Sequence, residues 1–484
     1  MSYPWFFSVE TWTLLLLFLT LIILYGYRPY GFFKKLGIPG PKPIPYFGTL
    51  LEYRKGFYNF DYECFKKYGK IWGFYDVRQP ILAIMDLEII KTILIKECYS
   101  LFTNRRSFYF FQKIGLNGPL YDAVSVVEDE EWRRIRTSLS PLFTSGRLKE
   151  MFPIMDKHCN TLVKSLQRKA ERDEAVEMKE SFGAYSMDVV TSTALSVDID
   201  SLNNPKDPFV TNIKKLFKFD FFDPLFLIVA FFPFIVPLLE KLNFSFFPSS
   251  VTDFFYASLR KIKAERKTKV HKASNKGLTD HEILSQSMIF IFAGYETSST
   301  SLTFLAYNLA TNPDVMKKLQ NEIDKVFPNK APVTYDELMQ MKYLDMVFNE
   351  TMRIFPVGGR IERVCKKTVE INGITIPKDT IVMIPIYPLH RDPDLWTDPE
   401  VFKPERFCKE NKESIDPYAY MPFGAGPRNC IGMRFAIVLI KLAIVEILQN
   451  FSIVTCKETV IPLELDVQGF LRPKHAVKLK LVPR

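Results

Sequence analysis

Two stretches of the chain are apolar for long enough to predict extended helices. From Trp12 to Tyr27 almost every residue is apolar, and with the apolar residues before it this segment can span a bilayer. The second stretch begins at Thr279-Asp280-His281-Glu282, which has the form of a capping box, and continues to about Asn312. At 1.5 Å per residue this helix is roughly 45 Å long, enough to cross a whole domain.

The N-terminal run is expected to be retained as an anchor and not cleaved as a signal peptide. No basic region precedes it, and Tyr25-Gly26-Tyr27 offers no cleavage site between small residues. Basic residues follow at Arg28, Lys34 and Lys35, which puts the rest of the chain in the cytosol by the positive-inside rule. The prolines of residues 39–43 then predict a stiff, extended spacer.

A second candidate for contact with lipid runs from Pro224 to Leu239. Its internal prolines, Pro233 and Pro237, forbid an uninterrupted spanning helix. Packing in the protein core is an equally good interpretation of the residues, because buried segments have the same composition.

Composition restricts the class of protein further. The 484 residues are 47% hydrophobic, enough for a large core, and carry a net charge of +10. No basic run is interleaved with stacking aromatics, so an anionic membrane or an acidic redox partner fits this charge better than nucleic acid. Seven cysteines without a C-x-x-C pair argue against a disulfide framework and a zinc site, and for a reducing compartment. The five histidines share no spacing and are interpreted as structural or solvated.

One cysteine has the surroundings of a metal-binding thiolate. In Phe423-Gly424-Ala425-Gly426-Pro427-Arg428-Asn429-Cys430-Ile431-Gly432 the glycines let the backbone approach a bulky flat ligand. Cys430 is predicted at the N-terminus of an apolar helix, where free N–H groups favour the thiolate. A lone soft anionic ligand of this kind suits haem iron. A buried inert cysteine is the common alternative for an isolated cysteine, but it does not account for the whole pattern.

Within the long predicted helix, Ala293-Gly294-Tyr295-Glu296-Thr297 sets a small residue and a hydroxyl on one face. Thr297 can donate a hydrogen bond back to the carbonyl of Ala293, which with Gly294 loosens the helix and leaves a notch for oxygen and a water. Thr297 would then deliver a hydrogen bond, and Glu296 would supply protons. On this motif alone, a structural threonine in a buried helix would be the favoured interpretation.

The cysteine segment resembles the signature of the cytochrome P-450 family, the haem-thiolate monooxygenases, and further matches run from about Lys34 to the C-terminus. Segments 102–106, 182–188 and 364–367 are similar to the vertebrate family-3, subfamily-A enzymes, which oxidise drugs and steroids. In that family, the region that corresponds to residues 224–239 dips into lipid where apolar substrates enter. The resemblance therefore favours membrane contact over core packing for this segment.

The resemblance implies a mainly α fold of three parts. Residues 1–27 would be a transmembrane anchor, residues 28–45 a basic and proline-rich linker, and residues 46–484 the catalytic domain. That domain would be one large helical body with a small β-rich region, as in the cytochrome P-450 fold.

The resemblance also implies haem b as the cofactor and assigns the residues of the site. Guanidinium groups bind carboxylates bidentately, so the two haem propionates need arginine partners. Residues expected to hold the haem are Cys430 as the axial ligand of the iron, with Arg105, Trp132, Arg136, Arg363, Phe423 and Arg428. Residues expected to act in catalysis are Ala293, Glu296 and Thr297. Glu350, Arg353 and Arg406 are expected to lock the loop beneath the haem.

Substrate contacts follow from the same resemblance. They are expected at Phe108, Ser125, Lys218, Phe219, Phe221, Ile289, Phe292, Val357, Gly358, Gly359 and Arg360. These side chains are mostly apolar with a few polar groups, as a site for lipophilic ligands should be. Gly358 and Gly359 replace bulkier residues common in the subfamily, which predicts a larger pocket.

The expected activity is the insertion of one oxygen atom from O₂ into lipophilic substrates such as steroids and drugs. Electrons from NADPH would come from NADPH-cytochrome P-450 reductase, docked near Arg133, Arg134 and Lys441, with a small b-type cytochrome as a further partner. Membrane lipid is an expected contact and nucleic acid is not. The resemblance implies a single-pass protein of the endoplasmic reticulum membrane with a cytosolic catalytic domain.

Two alternatives stay open. A peroxide isomerase or synthase would need no reductase, but it would also have no use for proton delivery by Glu296 and Thr297. A catalytically silent haem-binding membrane protein is suggested by the lysine-rich stretch 263–278, which looks short of the family by most of a helix. Without that helix, apolar residues on the flank of the long helix would be exposed and stability would fall.

Overall fold

Helices make up most of the structure, a computed structural model that describes residues 9–106, 120–204, 206–216, 228–229, 231–242, 248–267, 277–467 and 470–484. The α-helices are α1 (Val9–Tyr27), α2 (Phe32–Lys35), α3 (Phe57–Tyr68), α4 (Leu87–Lys91), α5 (Asp129–Leu139), α6 (Ser145–Glu171), α7 (Met178–Val190), α8 (Pro208–Leu216), α9 (Val236–Lys241), α10 (Ser249–Lys267), α11 (Asp280–Thr311), α12 (Pro313–Val326), α13 (Tyr335–Gln340), α14 (Lys342–Ile354), α15 (Ile386–Leu389), α16 (Lys409–Lys412) and α17 (Met433–Asn450). The strands are β1 (Ile71–Asp76), β2 (Gln79–Ile84), β3 (Val176–Glu177), β4 (Arg360–Val364), β5 (Val369–Ile371), β6 (Ile374–Ile376), β7 (Ile381–Pro385), β8 (Phe451–Thr455) and β9 (Lys478–Pro483).

The long helix α11 runs through the centre of the main hydrophobic core, as the sequence predicts. Its capping box forms: the Thr279 hydroxyl accepts the N–H of Glu282 at 3.2 Å, and the Glu282 carboxylate accepts the N–H of Thr279 at 2.7 Å. Helix α7 packs closely against α11 because Gly294 has no side chain. A Cβ at that position would lie 2.6 Å from a methyl group of Val190. Helices α6, α12, α14 and α17 and strands β8 and β9 complete this core.

The β-rich part consists of one four-stranded sheet, one three-stranded sheet and a hairpin. The four-stranded sheet has the order β1-β2-β7-β4, in which β2 and β7 are parallel and the other pairs antiparallel. Strand β7 lies inside the sheet and all five of its residues are buried, which explains its continuous apolar sequence. Its partner β4 carries Arg363 opposite Val382, and this register directs one of the expected haem-binding arginines into the domain. The mainly α fold with a small β-rich region is therefore confirmed.

The N-terminal apolar run forms α1. Within the described residues, Glu10–Lys35 is the one stretch that is both long and apolar enough to cross a membrane, and only 6% of its 18-residue apolar window is buried in the protein. Near its end, the Tyr25 hydroxyl donates to the carbonyl of Phe231 at 3.1 Å. The end of α1 therefore lies beside the second apolar segment.

That second segment does not form one continuous helix. A 3₁₀ helix at Pro233–Ile235 leads into the short helix α9, as expected from its internal prolines. Ile228, Phe232, Phe234 and Leu238 are exposed, with Phe234 at 68%. These side chains form an exposed apolar surface next to the apolar helix α1.

Most of the shortened stretch 263–278 lies outside the described residues, because the structure describes neither 268–276 nor the side chains just before them. In the fully described range 280–292, Ile283 is the one exposed large apolar side chain. The expectation of a broadly exposed apolar flank on the long helix is therefore wrong for this range. Packing by α10 and by residues 120–127 covers its other apolar side chains.

Candidate active site

The loop before α17 folds back on itself and presents Cys430. The N–H of Cys430 donates to the carbonyl of Phe423 at 2.9 Å. Gly426 has φ of +75°, and a Cβ there would lie 2.0 Å from the carbonyl oxygen of Leu94, so only glycine fits. The Phe423 ring packs nearly parallel to that of Phe348, with centroids 6.4 Å apart.

Cys430 lies slightly outside the helix terminus that the sequence predicts. Helix α17 begins at Met433 and its N-cap is Gly432, two residues after the cysteine. Burial by the surrounding protein raises the pKa of the Cys430 thiol, opposed by a hydrogen bond from the Gly432 N–H and by the charges of Arg105 and Arg136. In the protein alone, burial therefore outweighs the N–H groups expected to favour the thiolate.

The same cysteine is accessible to solvent. Its side chain is accessible and yet closely surrounded by protein, since burial raises its pKa. Cys430 is therefore positioned to bind a ligand inside the protein.

Four arginines lie close to Cys430 or to one another and are fixed by backbone and amide oxygens. Arg105 donates to the carbonyl of Arg428 at 2.9 Å, and Arg136 donates to the carbonyl and side-chain oxygens of Asn429 at 2.9 Å each. Arg428 donates to the carbonyls of Thr103 at 2.7 Å and Val127 at 2.6 Å. Arg363 donates to the carbonyl of Glu362 at 2.8 Å. The indole ring of Trp132 lies 4.8 Å from the Arg428 guanidinium, a cation–π distance.

None of these four arginines forms an ion pair with an acidic residue in the part of the chain that the structure describes. Arg363 and Arg428 are each 2% exposed, and the Nε atom of each is buried without a hydrogen-bond partner in the part of the chain that the structure describes. Burial, and then the nearby charge of Arg105, lowers the pKa of both to about 9. Buried, uncompensated guanidinium groups call for an anion, and the two propionates of a flat haem meet that need. The residues present therefore fit haem.

The hydrogen bond on which the predicted notch in α11 depends is present. The Thr297 hydroxyl donates to the carbonyl of Ala293 at 2.6 Å. Ala293 is exposed although it lies in the middle of a core helix, so its methyl group faces open space. Glu296, on another face of the helix, is 5% exposed and pairs with Lys179 of α7. The sequence carried no signal for Lys179, because the pairing depends on how two helices pack.

Glu350, Arg353 and Arg406 come together as expected. Arg353 donates two hydrogen bonds of 2.8 Å to the Glu350 carboxylate, and Arg406 adds a third at 3.2 Å. Arg353 also donates to the carbonyl of His390 at 2.8 Å.

His390 connects this network to the cysteine loop, which the sequence did not reveal. Its Nε2 accepts the N–H of Met421 at 3.0 Å, while its Nδ1 lies 3.2 Å from the carbonyl of Arg353. Burial and the charge of Arg353 lower the pKa of His390 to about 3. A neutral histidine with Nδ1 as donor and Nε2 as acceptor satisfies both contacts.

The structure describes most of the expected substrate residues. Ser125, Ile289 and Phe292 are half-buried, and Val357 is packed inside a small apolar cluster. A Cβ added at Gly358 or Gly359 would meet nothing within 4 Å, so there is open space beside both glycines. Four of the expected substrate residues lie outside the described residues: Phe108, Lys218, Phe219 and Phe221.

Arg360 differs from the expectation. It makes two hydrogen bonds of 2.7 Å to Asp61 and one of 3.2 Å to the Tyr53 hydroxyl. Its guanidinium also lies over the rings of Phe57 and Phe74. Because a buried carboxylate and aromatic rings hold it, the contacts of Arg360 are structural and not those of a free substrate-binding group.

The predicted docking surface also needs correction. Lys441 is 1% exposed and pairs with Asp345, so it cannot meet a partner protein. Arg134 is engaged with Glu282. Arg133 and Arg134 are both exposed and also pair with exposed acids of their own helix, Glu130 and Glu131.

The accessible cysteine, the buried arginines without acidic partners and the threonine of α11 are the features expected of a haem-thiolate protein. The family profile described as Cytochrome P450 matches residues 38–481. The chain is 65% identical over 497 residues to cytochrome P450 3A56 of Fundulus heteroclitus, covering 99% of each chain. It is 65% identical over 506 residues to cytochrome P450 3A27 of Oncorhynchus mykiss, covering 100% of this chain and 96% of the relative. With cytochrome P450 3A12 of Canis lupus familiaris it shares 56% over 496 residues, covering 99% and 97%.

The chain therefore belongs to the cytochrome P450 family. It is a monooxygenase that binds haem through a cysteine thiolate. Identity of this level over nearly the full length does not favour the catalytically silent alternative. These alignments are longer than the 484 residues of the chain, so the relatives contain residues without a counterpart here.

Proposed function

We propose that this monooxygenase oxidises lipophilic molecules such as steroids and drugs, with electrons derived from NADPH. The observation that carries the proposal is the open space at Gly358 and Gly359, next to the apolar cluster that contains Val357. A roomy, mostly apolar site accepts large lipophilic ligands and holds them by few polar contacts.

When bound, haem b supplies the oxygen-activating iron–thiolate chemistry. The protein would orient the haem. Cys430 would bind the iron through its sulfur, and guanidinium groups would bind the propionates, from Arg105, Arg136, Arg363 and Arg428. Trp132 and Phe423 would contact the cofactor, since Trp132 packs on Arg428 and the Phe423 carbonyl accepts a hydrogen bond from the Cys430 N–H.

Protons would move along the other side of the site. Lys179 is partly exposed and pairs with Glu296, so this ion pair connects a buried carboxylate to solvent. Glu296 would take up a proton at its carboxylate when the pair opens, and the Thr297 hydroxyl would turn from the Ala293 carbonyl to donate into the notch. Ala293 would leave room for oxygen and a water, because its methyl group is small.

We further infer a three-part organisation with a transmembrane anchor at 1–27, a linker at 28–45 and the catalytic domain at 46–484. The exposed apolar surface of α1 and the cations that follow it support a single-pass protein of the endoplasmic reticulum with a cytosolic catalytic domain. Ile228, Phe232, Phe234 and Leu238 would rest in the same bilayer.

For the redox partners we propose NADPH-cytochrome P-450 reductase and, in addition, a small b-type cytochrome. Lys96, Arg133 and Arg434 are exposed and replace Lys441 as the proposed docking cations. Acidic partners are steered to such a surface, so association should weaken as salt rises.

The test uses the full-length chain with this reductase in anionic lipid vesicles, with testosterone as the probe. We expect NADPH oxidation that depends on reductase and yields a hydroxylated steroid. A haem spectrum without NADPH-dependent product would favour the silent alternative. Rearrangement of an organic hydroperoxide without reductase would favour the isomerase or synthase.

A further inference from the structure

His281, the second residue of α11, joins three segments of the chain. Its Nδ1 lies 2.6 Å from the carboxylate of Asp122, and its Nε2 lies 2.9 Å from the hydroxyl of Tyr256 on α10. The ring of Tyr121 stacks on the imidazole, with centroids 4.2 Å apart and planes 20° apart. The histidine that the sequence analysis left as structural or solvated therefore connects α10, α11 and the segment 120–127.

One tautomer of the neutral imidazole makes both bonds at once. A carboxylate can only accept, so Nδ1–H donates to Asp122, and Nε2 accepts the O–H of Tyr256. The bond to Asp122 is short and involves a charged group, which makes it stronger than a bond between neutral groups. The side chains of His281 and Asp122 are 29% and 15% exposed, so water competes only in part for these contacts.

Two further contacts fix the segment 120–127 on either side of Ser125. Gln286, one turn along α11, donates to the carbonyl of Asp122 at 2.6 Å and accepts the N–H of Val124 at 2.8 Å. At the other end, the carbonyl of Val127 accepts from Arg428 at 2.6 Å. Ser125 is thus held between a clamp on α11 and an arginine of the haem site.

We propose that His281 is a positioning residue for substrate binding, which acts through Asp122 to fix the backbone that carries Ser125. The proposal rests on the proposed function in one respect, the role of Ser125 as a substrate contact. His281 lies about 24 Å along α11 from Thr297, so its loss should change how substrate is held and leave the chemistry in place.

The test compares four forms of the full-length protein bound to haem in lipid vesicles. His281→Phe keeps an aromatic ring against Tyr121 and removes both hydrogen bonds. His281→Asn keeps an amide donor near the position of Nδ1 and so preserves the bond to Asp122. His475→Phe is the matched control, since His475 is 55% exposed and pairs loosely with Glu464 at 3.5 Å. The wild type completes the set.

Two measurements are made on each form. Hydrogen exchange of residues 120–127 is followed without substrate, and kcat and KM are measured with testosterone. For His281→Phe we expect faster exchange in this segment and a KM raised about tenfold, the size of losing a hydrogen bond to a charged group. Its kcat should stay within about twofold. His281→Asn should recover most of both effects, and His475→Phe should match the wild type.

Unchanged exchange in His281→Phe would overturn the proposal, and so would a fall in kcat and haem content at constant KM, which is the mark of a merely structural residue. If His281→Phe fails to bind haem, Tyr256→Phe removes the outer hydrogen bond alone, and the same two criteria apply to it. Exchange is measured without turnover. Faster exchange in His281→Phe together with an inactive wild type would therefore refute the proposed function while leaving the clamp established.

Discussion

Arg353 donates two hydrogen bonds of 2.8 Å to Glu350, and neither side chain is exposed to solvent. Removing one partner would leave an uncompensated buried charge, so Glu350→Ala should destabilise the protein by about 3–5 kcal/mol and release haem. Urea unfolding followed by haem absorbance measures this. Glu150→Ala is the control, because Glu150 pairs with Arg147 at the same spacing on an exposed face and should cost about 0–1 kcal/mol. Equal effects of the two variants would contradict the structural role of the buried pair.

Cys430 should be the iron ligand. Cys430→Ser removes the soft sulfur donor while keeping the shape of the side chain, so we expect loss of the thiolate-type carbonyl spectrum of the reduced protein. Cys456→Ser is the control, since Cys456 lies just after strand β8, outside the arginine cluster. A thiolate spectrum retained by Cys430→Ser would refute the assignment.

Thr297→Ala should uncouple the enzyme without unfolding it. The variant loses the hydroxyl that lies 2.6 Å from the Ala293 carbonyl and little packing, so NADPH should still be consumed, with peroxide released in place of product. Thr303→Ala is a matched control, because Thr303 bonds back to Ser299 at 2.7 Å on the same helix but is fully buried. Unchanged product per NADPH in Thr297→Ala would remove this residue from the mechanism.

His390 should make the fold sensitive to acid. Its pKa is lowered from 6.5 to about 3, so the unfolded chain binds its proton first as the pH falls. The stabilisation is therefore complete above about pH 6.5 and is lost as the pH falls toward 3, by on the order of a few kcal/mol. Free energies of unfolding between pH 7.5 and 4 should decline less steeply for His390→Gln than for the wild type. His475→Gln, at an exposed site, should follow the wild-type slope, and parallel slopes for all three proteins would contradict this account.

Deleting residues 2–27 should leave a haem-containing protein that still partitions in part to membranes. Phe232, Phe234 and Leu238 remain exposed in that protein, and apolar side chains of this kind insert at the interface. Sedimentation with lipid vesicles tests this. Replacing the three residues with serine in the truncated protein should make it soluble. Fully soluble behaviour before that replacement would mean that the second apolar segment does not bind lipid.

The sequence predicted the features that depend on neighbours along the chain. The capping box at Thr279, the hydroxyl-to-carbonyl bond of Thr297 and the pair Glu350 and Arg353 each involve residues three or four apart on one helix, and each is present. Local spacing fixes such contacts before any tertiary structure is known.

The features that the sequence did not predict depend on distant segments. Lys179 meets Glu296 across two helices, and His281 meets Asp122 from 159 residues away. Lys441 and Arg360 carry charges that a sequence places at the surface, but each is paired with an acid from another element. Burial of a charge depends on which carboxylate the fold brings beside it, and no local pattern encodes that.

The arginines proposed to hold the propionates have a consequence for the life of the protein in a cell. If Arg363 and Arg428 bind them, these two buried cations gain an anionic partner only in the haem-bound protein. A ligand that binds only the folded state stabilises it by mass action, and chains that stay unfolded are removed by proteases. The amount of this enzyme that a cell retains should therefore follow the supply of haem at the time the chain is made.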